Sequence, residues 1–203
     1  METDLLPEHD IPEHDIIVIG AAPGGVEAVP KLARNLPGDL AAAVFIALPA
    51  APHIPHLLTA ILNKVAALPA RQAVHGEQVE RSRIYVAPPD HHLKIEQNHV
   101  HLDQGPKENR HRPAIDALFR SAAVTAGPRV IGVLLNGSLN DGPAGLNAVK
   151  ENGGITIVQD PSEALVPEMP EHALRNLPVD YCLPVSEMGA VLTNLTENKA
   201  LLV

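Results

Sequence analysis

Apolar residues along this chain fall into short β-branched runs separated by stretches with helical spacing. Ile16-Ile17-Val18-Ile19-Gly20 is a continuous apolar run that ends in a glycine-rich turn and is followed by an amphipathic stretch from Val26 to Asn35, the order strand, turn, helix. Ala43-Val44-Phe45-Ile46-Ala47-Leu48 repeats the theme, with Leu57 to Ala67 as its crossover helix. Arg83 to Pro88 predicts a further strand, and His92 to Glu96 and His99 to Asp103, joined by Gln97-Asn98, predict a hairpin. Pro113 suits the first position of a helix that continues through Ala114 to Thr125. Val130 to Leu135 is the strongest strand; the helix Ala144 to Glu151, the strand Ile155 to Val158 and a short strand near Tyr181-Cys182-Leu183 complete the series. This alternation predicts a doubly wound, mainly parallel α/β sheet with helices on both faces and one antiparallel hairpin insertion.

Composition narrows the picture. A length of 203 residues with 45% apolar and 19% charged residues suits one folded domain and excludes whole-chain disorder. Aromatics make up 2% with no Trp, so the core is aliphatic, as in parallel sheets covered by helices. Lys and Arg number 15 against 24 Asp and Glu, a net charge of −9, which argues against nucleic acid as a partner. The single Cys182 permits no intramolecular disulfide and no cysteine-based metal site, and points to a reducing cytoplasm. The N-terminus lacks a basic stretch and an apolar core, so no secretory signal is expected. The uncharged run from Leu40 to Asn63 is broken by Pro49, Pro52, Pro55, His53 and His56 and reads as strand, loop and helix rather than a membrane span. Residues 1–15 hold a polar duplication, Pro7-Glu8-His9-Asp10 and Pro12-Glu13-His14-Asp15. They are expected to form a mobile acidic tail ahead of a domain spanning 16–203.

Parallel α/β sheets place their sites outside the carboxyl ends of the strands, so three loops carry the candidate chemistry. Gly20-Ala21-Ala22-Pro23-Gly24-Gly25 could bring backbone N–H groups toward an anion. Its glycine spacing is not the dinucleotide fingerprint, and no Gly-Lys-Ser/Thr ending follows to hold a triphosphate. The second loop runs from Leu48 to Pro55. The third holds Ser138, Asn140 and Asp141, the last placed before Gly142-Pro143 either as an N-cap or as the carboxylate that orients a histidine.

These motifs together resemble the CheB-type protein-glutamate methylesterases of bacterial chemotaxis, from about Ile16 to about Leu195. The resemblance rests on Ile17 to Ala21 with Gly24-Gly25, on Arg83 to His92, on Gly105-Pro106-Lys107-Glu108-Asn109-Arg110-His111-Arg112-Pro113, and on Asn140-Asp141-Gly142. It implies hydrolysis of glutamyl methyl esters, or deamidation of glutamines, on chemoreceptors, with no cofactor. The family's nucleophilic serine falls on Ala22, and its general-base histidine falls, counting back without gaps from Leu62-Asn63-Lys64, on Pro49. Its aspartate falls on Asp141, with Gly20, Ala21, Gly24, Gly25, Ser138 and Asn140 lining the pocket.

A methyl group cannot attack a carbonyl carbon, and a prolyl ring accepts no proton. The expectation is a degenerate esterase that binds a chemoreceptor cytoplasmic region or a chemotaxis methyltransferase. The alternatives are an active esterase with a displaced Ser138 and His53, and a small-anion-binding domain. A zinc site from His53, His56, His91 and His92 has no spacing pattern behind it. Arg110, His111 and Arg112 concentrate cations where a partner's carboxylate could dock, or where Glu108 and Asp116 could neutralise them. The family's N-terminal receiver domain has no counterpart in residues 1–15, so regulation is expected to come from a partner or from expression.

Overall fold

The computed structural model describes residues 14–22, 24–137 and 140–198. Seven strands form one parallel sheet: β1 (Ile16–Gly20), β2 (Ala43–Ala47), β3 (Ala70–Gln72), β4 (Arg83–Val86), β7 (Val130–Leu134), β8 (Ile155–Gln159) and β9 (Tyr181–Leu183), in the order β3-β4-β2-β1-β7-β8-β9. The chain winds outward from β1 through β2 to β4, then returns to the other side of β1 as β7 and continues to β8 and β9. The topological switch point therefore lies between β1 and β7. Strands β5 (His92–Glu96) and β6 (His99–Asp103) form the separate antiparallel hairpin, turning through Gln97 and Asn98, both at positive φ.

Every residue of β1, β2 and β7 is buried, because helices cover both faces. On one face Ile17, Ile19, Val44, Ile46, Ile131 and Val133 meet α1 (Ala28–Ala33), α2 (Ile54–Val65) and α6 (Val185–Thr196). On the other, Val18, Phe45, Tyr85, Val130 and Leu134 meet α3 (Ile115–Ala126), α4 (Pro143–Glu151) and α5 (Glu168–Asn176). The hairpin packs Leu93, Ile95 and Val100 into this second core. Ser121 Oγ accepts from Ile95 N at 3.1 Å and Thr125 Oγ1 donates to Ile95 O at 2.9 Å, fastening the hairpin to α3. Phe45 and Tyr85 stack with ring centroids 5.0 Å apart.

Two expectations need correction here. Of the residues expected in the tail, His14 and Asp15 are both buried. Arg129 Nε and Nη2 donate to the two Asp15 carboxylate oxygens at 2.8 and 2.9 Å, and Arg81 Nη2 donates to Oδ2 at 3.0 Å. The carboxylate thereby ties the approaches to β1, β4 and β7. Residues 1–13, the rest of the expected tail, lie outside the described residues. Pro113 does not open α3, which starts at Ile115 after Ala114 in extended conformation.

Candidate functional site

The loops leaving β1 and β7 cross at the switch point with almost no space between them. Ala22 N donates to Asn136 O at 3.3 Å, and Gly25 N donates to Ala22 O at 2.7 Å. Any side chain on Gly137 would place a Cβ 2.2 Å from the Ala22 Cβ, and one on Gly25 would meet Asn136 O at 2.2 Å. Glycine at both positions is thus what lets the two loops touch. Gly137 is held from beyond as well, donating its N–H to Val166 O at 2.9 Å and accepting from Met169 N at 3.0 Å. Ala22 ends with no exposed surface, and Pro49 is buried beyond β2. Gly20 and Ala21 are buried, whereas Gly24, at φ +102, and Asn140 are exposed. Ser138 lies outside the described residues.

Asp141 is fully buried, and its partners differ from those local sequence suggests. It does not cap α4, the helix that follows it, whose N-cap is Gly142 with no side-chain bond. Asp141 Oδ2 instead accepts from Ile115 N at 2.6 Å, and Oδ1 from Asp116 N at 3.0 Å and Asn109 Nδ2 at 2.9 Å. Asp116 in turn accepts on Oδ1 from Gly142 N at 2.9 Å and Gly145 N at 2.6 Å, and on Oδ2 from Asn109 Nδ2 at 2.7 Å. Burial pushes the Asp141 carboxyl above the ordinary carboxylate range, opposed by the Asp116, Ile115 and Asn109 donors. Asn109 and Asp116 were not recognised from sequence as partners of Asp141. The available signal was Asp116 in the first turn of a helix whose N-cap, Ala114, has no capping atom.

The remaining candidates are dispersed. His53 is exposed at the N-cap of α2 with no side-chain bond there. Gln72 Nε2 lies 3.1 Å from His56 Nδ1, His91 Nδ1 lies 2.9 Å from Pro89 O, and His92 bridges Pro106 O at 2.9 Å and Ala114 N at 3.3 Å. No group of three or more His, Cys, Asp or Glu among the described residues is placed to hold a metal ion. Arg112 is occupied. It donates twice to Asp90 Oδ1, at 3.0 and 2.7 Å, and to Gln104 O and Gly105 O at 2.8 and 2.7 Å. Its partner is Asp90, held below the usual carboxylate range by this guanidinium, while Glu108 pairs with Arg120. Arg110 is exposed at φ +69 on the Glu108–His111 turn, which closes through backbone bonds between Glu108 and His111. A cavity of about 60 Å³ at the β1 and β7 loops is lined by Gly24, Lys31, Asn136, Gln159, Glu163 and Leu165 among others. A cleft of about 690 Å³ beside His75, His99 and His101 takes no residue from the loops after β1, β2 or β7, so the chemistry expected there gains nothing from it.

A parallel sheet that winds to both sides of β1, with a buried aspartate in the segment after β7, defines a doubly wound α/β domain. The chain belongs to the CheB methylesterase family, whose family model matches residues 17–192. It is 34% identical to protein-glutamate methylesterase/protein-glutamine glutaminase 2 of Methanosarcina mazei, over 90% of this chain and 56% of that protein. It is 39% identical to protein-glutamate methylesterase/protein-glutamine glutaminase 1 of Burkholderia pseudomallei, over 86% of this chain and 49% of that protein. The chain thus spans about half the length of these relatives. The crystal structure of the Thermotoga maritima CheB methylesterase catalytic domain superimposes with a TM-score of 0.86 at 31% identity, covering 89% of this chain and 98% of that one. No helix among the described residues is long and apolar enough to cross a membrane.

Proposed function

We propose that this chain is a CheB-family domain that no longer carries out ester hydrolysis and acts by binding. The observation that carries this reading is the pair of side chains at the nucleophile and base positions. Ala22 and Pro49 have no atom that can attack or accept a proton, and both are buried under neighbouring loops. A triad protein stripped of such members keeps roughly 10³-fold catalysis over water from its remaining donors and binding, far below an enzyme's turnover. No observation favours a displaced base at His53, which is exposed and has no side-chain hydrogen bond at the α2 N-cap.

The proposed partners are those the family resemblance implies, a chemoreceptor cytoplasmic region or a chemotaxis methyltransferase, met in the cytoplasm. Arg110 supplies a cation for a partner's carboxylate. It is exposed, makes no ion pair among the described residues, and sits on a turn anchored by Asn109 to Asp116 and Asp141. The test compares this protein with its Ala22→Ser, Pro49→His double variant on methyl-esterified receptor fragments, with binding measured in parallel. A silent parent that binds the fragments, and a double variant that releases methanol, support the reading. Turnover by the parent that is abolished in Asp141→Asn overturns it.

A further inference from the structure

We infer that Asp141 and Asp116 are exchanged helix caps, each closing the helix that the other's segment begins, and that this architecture accounts for the aspartate at position 141. The first N–H groups of any α-helix lack partners within the helix and must find them elsewhere when buried. Neither α3 nor α4 starts with a residue that can supply one, since Ala114 and Gly142 carry no capping atom. Asp141, just before α4, takes the Ile115 and Asp116 N–H groups of α3, and Asp116, within α3, takes the Gly142 and Gly145 N–H groups at the start of α4. Pro143 between them has no N–H to satisfy.

Two carboxylates this close repel, and two features offset the repulsion. Each faces the positive end of a helix, and the Asn109 amide donates one hydrogen to each. All of Asp141's hydrogen bonds among the described residues are to these donors, so the carboxylate is engaged without a histidine. The inference does not depend on whether the protein turns over ester.

Amide hydrogen exchange read by NMR tests it, because the exchange of caps predicts a crossed pattern. Asp141→Ala should speed exchange at Ile115 and Asp116 by about 10-fold or more relative to Gly142 and Gly145, and Asp116→Ala should do the reverse. Should Asp141→Ala not fold, Asp141→Asn, which keeps one acceptor oxygen, carries the same measurement. In urea unfolding, the Asp116→Ala, Asp141→Ala double variant should lose less than the product of the two single effects, because the pair shares Asn109. Unchanged protection at Ile115 and Asp116 in the Asp141 variants, a loss centred on α4 instead, or strictly multiplicative unfolding constants would each overturn it.

Discussion

Replacing Asp15 by Ala tests whether the folded domain begins ahead of the first apolar run. The carboxylate accepts three guanidinium hydrogen bonds, two from Arg129 at 2.8 and 2.9 Å and one from Arg81 at 3.0 Å. Removing one partner of a fully buried pair costs ~3–5 kcal/mol, and an exposed pair is worth at most ~1 kcal/mol. Here Asp15 is 12% exposed but the arginines are 46% and 52% exposed, so water recovers much of their solvation once the partner is gone. The expected loss is about 1.5–3 kcal/mol, the upper part reflecting the two-point contact with Arg129. For a domain of this size that lowers the melting temperature by about 3–12 °C. Urea unfolding should show the midpoint fall with an unchanged slope. Asp15→Asn, which keeps the shape but not the charge, should fall between parent and Ala, and a cycle with Arg129→Ala should reveal coupling. A loss below about 0.5 kcal/mol for Asp15→Ala would refute the reasoning and return Asp15 to the tail.

Other consequences follow from single contacts. Gly137→Ala should cost about 1–3 kcal/mol, because its Cβ would stand 2.2 Å from that of Ala22; Ala22→Gly in the same chain should restore part of it in thermal unfolding. Burial holds the His14 imidazole below its ordinary value, against the backbone of Pro128 and the charge of Asp15. The unfolded chain therefore binds a proton near pH 6.5 that the folded protein does not, so stability present above that pH is lost as the pH falls toward the folded value. A His14→Gln variant should show a flatter midpoint between pH 7 and pH 5 than the parent, and parallel curves would count against the assignment. Burial and the neighbouring Asp160 raise the Cys182 thiol above its ordinary value, so alkylation at pH 7 should be slower than for an unstructured peptide thiol and should rise on denaturation.

Continuous apolar runs made the parallel strands legible, since strands covered on both faces need no alternation. The bounds of β1, β5, β6 and β9 match the sequence reading, and β2, β7 and β8 differ by one residue. The edge strand β3 was missed because Ala70-Arg71-Gln72 is short, has one apolar residue in three and is paired to β4 alone. Helices α5 and α6 were also missed, although Val185, Met188, Leu192 and Leu195 carry helical spacing. The packing of His14 and Asp15 was illegible for a different reason. His14 and Asp15 read as polar tail, and only the fold brings Arg81 and Arg129, 66 and 114 positions away, to neutralise Asp15.

The same limit governs the site. Asp before Gly-Pro at a helix start is a sound local signal for a cap, and it pointed to the right role on the wrong helix. Capping requires only that an acceptor reach a helix's first N–H groups, and the chain can supply it from 25 or 26 positions away as readily as from the adjacent residue. Chemistry is less forgiving: no distant residue restores an oxygen at Ala22 or a ring nitrogen at Pro49 unless it occupies the same point to within about 1 Å. That asymmetry lets Asp141 serve as a cap whether or not the chain hydrolyses ester. It also sets how the rescue variant must be read. Ser at position 22 would sit at a buried point beside Gly137, so methanol release by the double variant would show that ester reaches it.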